Sequence, residues 1–184
     1  SFLFFECGPY KTQVKTLPSE DFPLIPIIQS KNFIELKSGD FCQGLGQVSE
    51  IPAHSSTRPE ISGVFISFQK DAVKLAATDS FRLGEKTIFA DKGGFSPKGG
   101  ELENSLIIPH KTAKEVAGIF GEEKGNINFY FSPNQIMVES QMKETNHPET
   151  QLVSRLIEGE YPAYQEIIPK KYDTQATFSR SEFA

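Results

Sequence analysis

The order of predicted secondary-structure elements repeats once along this chain, and that repeat limits the fold more than any other feature. Between residues 33 and 90 the apolar pattern predicts strand, helix, strand, strand, strand, and the same order returns between residues 105 and 157. A duplication of about 70 residues implies two units related by a pseudo-two-fold axis. Because each unit alone would leave a sheet face uncovered, the sequence predicts one α+β domain with a pair of helices on an antiparallel sheet layer.

Each unit contains one amphipathic helix. In the first unit Ser38 is the predicted N-cap of a helix that runs to about Glu50, with Phe41, Leu45 and Val48 on its apolar face. The helix of the second unit runs from Pro109 through Phe120, with three inward residues and a glycine end signal: Val116, Ile119, Phe120 and Gly121. The predicted strands are Phe33–Leu36, Gly63–Phe68, Val73–Ala77 and Leu83–Phe89, then Leu106–Ile108, Ile127–Phe131, Ile136–Ser140 and Gln151–Leu156.

The flanks of the repeat have a different character. Phe2–Glu6 and Tyr10–Lys15 predict a hairpin, and residues 17–32 carry three prolines, which favour an extended linker. At the other end, Ser179 and Glu182 have the spacing of a capping box that starts a helix. We therefore expect the sequence to be a piece of a longer chain.

Composition excludes several classes of protein. The chain has 24 acidic and 19 basic residues and a formal charge of −5, which disfavours a protein that coats nucleic acid with its whole surface. No apolar run reaches the roughly 20 residues of a membrane span, so no membrane partner is expected. The two cysteines, Cys7 and Cys42, form neither a disulfide framework nor a metal motif and favour a reduced intracellular compartment.

Catalytic and metal-binding patterns are missing from the sequence. The histidines, His54, His110 and His147, lie in polar loops or at a helix start without ligand spacing, so solvated surface positions are expected. Ser80 lies in a turn with no base close in sequence, so a hydrolase that uses Asp79, Ser80 and a distant histidine needs several coincidences. We predict a non-catalytic protein with no metal and no cofactor.

Three segments resemble the bacterial sliding clamp family, the beta subunit of DNA polymerase III. They are Thr57–Val64 (TRPEISGV), Leu75–Leu83 (LAATDSFRL) and Ser154–Pro162 (SRLIEGEYP). Their order and spacing resemble the middle domain of that three-domain family. The resemblance implies that residues 1–32 are the end of the first domain with its linker, that 33–168 are the complete middle domain with the clamp fold, and that 169–184 are a linker and the start of the third.

The resemblance also implies a function. In this family, two chains join head to tail in a ring around duplex DNA and tether the polymerase to its template without doing chemistry. The implied partners are duplex DNA, the DNA polymerase catalytic subunit, the clamp loader, repair polymerases and mismatch-repair proteins, and a second copy of the chain. The implied location is cytoplasmic, at the bacterial nucleoid.

A peptide-binding cleft is implied at the junction of the middle and third domains. Carried over residue by residue, its middle-domain side is Ile61, Thr78, Ser80, Phe81, Arg82, Leu83, Pro162 and Ile167. Aliphatic residues and a proline supply an apolar wall, and polar residues on a turn supply a rim. Core packing remains an equal alternative for Ile61 and Leu83. Phe81 and Glu166 depart from the residues common in the family, where histidine and a basic residue are found.

The surface expected to face DNA carries few basic residues. The first helix has no lysine or arginine, and only Lys111, Lys114 and Lys124 mark the second. The alternative is therefore a clamp-fold adaptor that binds proteins or peptides and does not encircle DNA.

Overall fold

A computed structural model describes residues 1–22, 28, 33–55, 57–91, 94–95, 104–141 and 148–183. The first hairpin consists of β1 (Phe2–Cys7) and β2 (Tyr10–Lys15). The first unit contains β3 (Phe33–Lys37), α1 (Ser38–Val48), β4 (Gly63–Phe68), β5 (Ala72–Thr78) and β6 (Leu83–Phe89). The second contains β7 (Asn104–Pro109), α2 (His110–Phe120), β8 (Asn126–Phe131), β9 (Gln135–Gln141) and β10 (Pro148–Arg155). A short helix, α3 (Arg180–Phe183), follows Ser179.

The repeat predicted from the sequence is confirmed, but its strands form two sheets rather than one layer. Sheet I has the order β6-β5-β4-β7 and sheet II the order β10-β9-β8-β3. Each unit therefore gives its first strand to the sheet of the other unit. All neighbouring strands are antiparallel, and the two orders are equivalent under the exchange of the units. This exchange ties the two units into one domain, because neither sheet is complete without the other unit.

One hydrophobic core joins both sheets to the two helices. Phe41 of α1 contacts Phe129 of β8 edge-to-face with ring centroids 5.7 Å apart. Phe68 of β4 lies 5.4 Å from the same ring and stacks on Phe131 at 5.9 Å. All three sheet residues and Phe41 are buried. The core therefore lies between the helix pair and the inner faces of sheets I and II, which are the faces that alternate strand residues present.

The start of α1 differs from the prediction. Ser38 was expected to cap the helix, but the helix begins at Ser38 and Lys37 is its N-cap residue without a side-chain cap hydrogen bond. The Ser38 hydroxyl instead donates to the carbonyl of Phe120, at the end of α2. Cys42 Sγ also donates to a carbonyl of α2, that of Val116, at 3.6 Å. These contacts hold the two helices together, and this use of Ser38 was not visible in the local sequence.

The predicted inward face of α2 is wrong at one residue. Val116 and Phe120 are fully buried as expected, whereas Ile119 is 45% exposed. Ala113 takes the remaining inward position. The helix period explains the difference, because 113, 116 and 120 lie at i, i+3 and i+7 on one face and 119 lies beside it.

The elements outside the repeat agree with the prediction where they are described. β1 and β2 pair antiparallel around Gly8, whose φ is +59°. A 3₁₀ turn forms at Ser19–Asp21, and most of the expected linker, 23–27 and 29–32, lies outside the described residues. Most of the glycine-rich stretch 93–100, which the sequence predicts to be a surface loop between the two units, and His147 also lie outside the described residues. Among the described residues, no helix has the length and apolar character to span a membrane.

Candidate functional site: an apolar cluster beside a fixed turn

A tight turn joins β5 to β6 and is fixed by side chains at both ends. Asp79 Oδ1 accepts hydrogen bonds from the backbone N–H groups of Phe81 and Arg82, at 2.9 and 2.6 Å. Asp79 Oδ2 accepts from the Arg82 guanidinium at 2.9 Å, and Thr78 Oγ1 donates to the Arg82 carbonyl at 2.7 Å. The backbone hydrogen bonds, with the Arg82 side chain adding less, lower the pKa of Asp79 to about 2. Asp79 is thus a structural anion, which argues against its use in a hydrolase.

The tip of the turn is connected to a second segment. Ser80 has φ +76°, a left-handed conformation that is uncommon for residues other than glycine. Its Oγ accepts a hydrogen bond from the Arg58 guanidinium at 3.3 Å, and the Arg58 Nε also donates to Glu60 at 3.1 Å. Arg58 directly precedes the 3₁₀ turn Pro59–Ser62, which contains the buried Ile61. Ser80 therefore has a role in the loop geometry, and the side chain that hydrogen-bonds to its Oγ is a guanidinium cation, which cannot act as a base for it.

A second hydrophobic cluster covers part of the outer face of sheet I, the face opposite the helices. We call it the outer cluster; it contains Phe65, Ala76, Leu83, Ile107, Ile157, Tyr161 and Tyr164. Four of these residues come from the strands of sheet I and three from residues 157–167, which we call the covering segment. Ile157 N donates to the Ile107 carbonyl at 2.8 Å, so the covering segment starts along the free edge of β7.

Aromatic rings hold the covering segment on the sheet. The ring of Tyr161 stacks on Phe65 with centroids 5.0 Å apart, and Tyr164 meets Phe65 edge-on at 6.3 Å. The Tyr164 hydroxyl donates a 2.6 Å hydrogen bond to the carboxylate of Glu85 on β6. Burial, and for Tyr164 also the hydrogen bond to Glu85, raises the pKa of both tyrosines to about 12. Both hydroxyls therefore remain protonated at neutral pH.

The Tyr161 hydroxyl lies next to the backbone N–H of Thr78. Burial raises the pKa of this tyrosine, and the Thr78 N–H lowers it by a smaller amount. No hydrogen bond of ordinary geometry joins the Tyr161 hydroxyl to another described residue. The two tyrosines therefore differ: Tyr164 is anchored by its hydroxyl, and Tyr161 by its ring alone.

The residues predicted for the cleft fall on three neighbouring segments: the turn around Ile61, the β5–β6 turn and the covering segment. Leu83 is half-buried within the outer cluster, and Pro162 is half-buried beside Tyr161. Ile167 is 70% exposed and Phe81 is 97% exposed at the tip of the β5–β6 turn. Ile61 is only 4% exposed and belongs to neither core cluster, so it offers little surface to a ligand.

Sequence reasoning missed most of the outer cluster. Phe65, Ala76 and Ile107 lie on strands whose neighbouring residues face the main core, as Val64 and Ile66 do on β4. Apolar residues on both faces of a strand are a signal that both faces are covered. The run Gly63–Phe68 (GVFISF) carries that signal, and it could have identified Phe65 as part of a second apolar surface.

The row of sheet II that is equivalent to the outer cluster of sheet I consists of polar residues. Across sheet I, paired residues form an outer row of Glu85, Ala76, Phe65 and Ile107. The equivalent row of sheet II is Gln151, Glu139, Asn128 and Glu35. Glu139 there accepts hydrogen bonds from Tyr130 at 2.7 Å and from Gln151 at 3.0 Å. This row is therefore apolar on sheet I and polar on sheet II, whereas the next outer row of sheet II, Phe33, Tyr130, Met137 and Val153, is apolar and aromatic.

A sequence profile of the family described as DNA polymerase III beta subunit, central domain, matches residues 35–163. The chain belongs to this family. It is 25% identical over 173 residues to the beta sliding clamp of Streptococcus pneumoniae and 27% identical over 176 residues to that of Staphylococcus aureus. These matches cover 94% and 96% of this chain but only 42% and 43% of the relatives. The chain thus spans less than half the length of the curated sliding clamps that it matches.

Solved structures of DNA polymerase III beta subunits have the same fold as this chain. The Helicobacter pylori beta clamp bound to a DNA ligase peptide aligns with a TM-score of 0.82 at 22% identity, over 99% of this chain and 48% of that one. The Pseudomonas aeruginosa beta subunit aligns with a TM-score of 0.79 at 20% identity, over 94% and 44%. At these identities the comparison shows that the fold is the clamp fold.

The exposed face of the helix pair is not strongly basic in this beta-subunit domain. Lys111 and Lys114 are both exposed on α2, but Lys114 forms a 2.8 Å ion pair with Glu50. Asp40 on α1 and Glu115 on α2 are also exposed. Lys124 is exposed in the turn after α2, outside the helix. The three lysines are therefore accessible, and acidic neighbours offset Lys111 and Lys114 on the helix pair.

The histidines differ partly from the expectation of solvated positions. His54 is exposed, whereas His110 is half-buried at the start of α2, and their rings meet edge-to-face at 4.7 Å. Burial, followed by the charge of His54, lowers the pKa of His110. No cluster of three or more metal-ligating side chains occurs within the described ranges, and the two cysteines, Cys7 and Cys42, are not joined in a disulfide.

Proposed function

We propose that this chain is the central part of a ring-shaped sliding clamp that tethers the replicative DNA polymerase to duplex DNA. The match of residues 35–163 to the central domain of DNA polymerase III beta subunits carries the proposal. The clamp fold supports it, because a ring needs rigid modules that place helices on one side and sheets on the other. In this role the protein is non-catalytic, needs no cofactor, closes into a head-to-tail dimer and works in the cytoplasm at the nucleoid.

We propose further that the outer cluster and the β5–β6 turn form the central-domain side of a peptide-binding cleft. The proposed contact residues are Thr78, Ser80, Phe81, Arg82, Leu83, Pro162 and Ile167, while the buried Ile61 is assigned to packing rather than to contact. Leu83 and Pro162 are half-buried and supply apolar surface, and the exposed Phe81 and Arg82 supply a rim. The Helicobacter pylori beta clamp, which was solved with a bound DNA ligase peptide, supports a site of this kind. The partners would be the polymerase, the clamp loader, repair polymerases and mismatch-repair proteins.

The cleft is tested by titrating a fluorescent peptide with aliphatic and aromatic anchors into the protein in its full natural length. Leu83→Ala should weaken binding by about 1–3 kcal/mol because apolar contact is lost. Arg82→Ala should cost less, because this arginine is exposed and already paired with Asp79. Ile119→Ala is the matched control, since it removes a partly exposed aliphatic side chain from α2.

The result is read together with a thermal melt of each variant. Unchanged affinity in a folded Leu83→Ala protein would remove Leu83 from the site. A large fall in the melting temperature of Leu83→Ala that is the same with and without peptide would assign Leu83 to the core.

The mixed charge of the helix face favours a second candidate, a clamp-fold adaptor that does not encircle DNA. Glu50 neutralises Lys114, and α1 carries no lysine or arginine at all. Light scattering on the protein in its full natural length distinguishes the two functions. A mass of two chains supports the ring, and a monomer that still binds peptide supports the adaptor.

A further inference from the structure

The surface around the outer cluster has an unusual charge for a site that would bind partner peptides. Within residues 58–63, 78–85 and the covering segment there are six carboxylates and two arginines. Both arginines are already used: Arg58 pairs with Glu60 at 3.1 Å, and Arg82 pairs with Asp79 at 2.9 Å. The remaining four carboxylates belong to Glu85, Glu158, Glu160 and Glu166. None of the four forms an ion pair with another residue that the structure describes.

These carboxylates lie on two sides of the apolar surface. Glu85 ends the outer row of sheet I and accepts a hydrogen bond only from the neutral Tyr164 within the described chain. Glu158 and Glu160 lie at the opposite end of the row, beside Ile107, where they line a groove of about 550 Å³ together with Phe65 and Tyr161. Gly159 between them lies against Glu60, since a Cβ on Gly159 would come within 3.8 Å of the Glu60 Cβ.

The sheet gives the separation of the two acidic positions. Glu85 and Ile107 are three strands apart in the same row, which corresponds to about 14 Å at the usual strand spacing. Ala76 and Ile107 in this row are buried in the outer cluster together with Tyr161 and Tyr164, so the two acidic positions flank a covered part of the sheet. Glu166, exposed on the 3₁₀ turn that contains Tyr164, adds a further negative charge on the covering segment.

We propose that the cleft selects peptides whose apolar anchors are flanked by lysine or arginine. This inference rests on the proposed peptide-binding function and adds the charge of the partner to it. Opposite charges at the rim speed association and select among partners more than they add affinity. Peptides with acidic flanks would meet four uncompensated carboxylates and bind worst.

The test uses three fluorescent peptides with one shared Leu-Phe anchor and with lysine, serine or glutamate at both flanking positions. At low ionic strength, the lysine peptide should bind about tenfold more tightly than the glutamate peptide, with the serine peptide between them. Raising the salt concentration should shrink this ratio towards one, because exposed charges are screened. Equal affinities of the three peptides at low salt would overturn the inference and leave the cleft itself standing.

A pair of double variants separates local charge from the net charge of the chain. Glu158→Lys with Glu160→Lys should remove or reverse the preference for the lysine peptide. Glu115→Lys with Glu122→Lys changes the net charge equally, at exposed positions on and after α2, and should leave the preference unchanged. If both double variants shift the preference equally, the effect is global and the inference is wrong. If Leu83→Ala leaves the affinity of every peptide unchanged, the proposed cleft is wrong as well.

Discussion

Tyr164 donates a 2.6 Å hydrogen bond to Glu85, and this contact attaches the covering segment to the edge strand of sheet I. Leu83 lies two residues before Glu85 on β6, so both side chains project from the outer face of the sheet. The position of the covering segment and the shape of the proposed cleft therefore depend on the same pair. Tyr161, three residues before Tyr164, contributes its stacked ring and has no comparable hydrogen bond among the described residues.

The two tyrosines give a matched prediction. Tyr164→Phe should lower the free energy of unfolding by about 1 kcal/mol, because Glu85 loses its hydrogen-bond donor. Tyr161→Phe should change it by less than about 0.5 kcal/mol, because the stacked ring is kept and no hydrogen bond is lost. Urea denaturation of the two variants and the wild type measures the difference. A larger loss for Tyr161→Phe than for Tyr164→Phe would contradict this assignment of roles.

The order of elements could be predicted from the sequence because each element has a local signal. Phe41, Leu45 and Val48 have helical spacing, and strands such as Gly63–Phe68 are bounded by turn residues. The exchange of β3 and β7 between the sheets could not be predicted, since pairing of Phe33 with Tyr130 joins positions far apart in sequence and leaves no local period. The hydrogen bond of Ser38 could not be predicted for the same reason, because its partner, the Phe120 carbonyl, lies 82 residues away.

The candidate site was predictable to a similar extent. The motif around Thr78–Leu83 identified the turn, but the resemblance did not include Phe65 or Ile107. Those residues join the site only because strand pairing places them in one row with Ala76. Glu85 and Tyr164 meet across 79 residues, so their contact also required the structure.

The glycines of α1 provide a test of how closely the helix approaches sheet I. A Cβ at Gly44 would lie 2.9 Å from Leu75 Cδ1 and 3.0 Å from Ile88 Cδ1, whereas one at Gly46 would meet nothing within 4 Å. Gly44→Ala should therefore destabilise the domain by about 1–2 kcal/mol through overpacking. Gly46→Ala should stabilise it by up to about 1 kcal/mol, because alanine favours the helix. Thermal melts of the two variants check the prediction, and a stabilised Gly44→Ala protein would show that the helix can move away from the sheet.

The β5–β6 turn should resist acid until an unusually low pH. The pKa of Asp79 in the folded protein is about 2, below the ordinary value of 3.8, so ionisation of Asp79 favours the folded turn. This contribution is complete above about pH 4 and is lost as the pH falls through 2. The amide NMR signals of Phe81 and Arg82 should therefore stay constant from pH 7 to about 4 and move only below it. In Asp79→Asn, which keeps an acceptor oxygen but no charge, they should not titrate; a wild-type transition centred near pH 4 would contradict the hydrogen-bond geometry.

Duplex DNA should bind this chain weakly when no ring encloses it. Among the described residues, the exposed lysines on α2 and in the turn after it are Lys111, Lys114 and Lys124, which predicts a salt dependence with a slope of about −2 to −3. Glu50 pairs with Lys114 at 2.8 Å and competes with phosphate for it. Glu50→Gln should therefore raise DNA affinity and steepen the slope by about 1, because one more lysine becomes available to phosphate.

Glu6→Gln is the matched control for this DNA experiment, since Glu6 pairs with Lys11 at 2.7 Å on the N-terminal hairpin, away from the helices. It makes the same change in net charge and should leave the slope unaltered if the helix pair faces the DNA. Fluorescence anisotropy with a labelled duplex, repeated over a range of salt concentrations, measures both slopes. Equal effects of the two variants would show that DNA responds only to net charge. A wild-type slope that corresponds to six or more phosphate contacts would instead indicate a conventional DNA-binding surface, since a domain that depends on enclosure by a ring has no need of so many contacts.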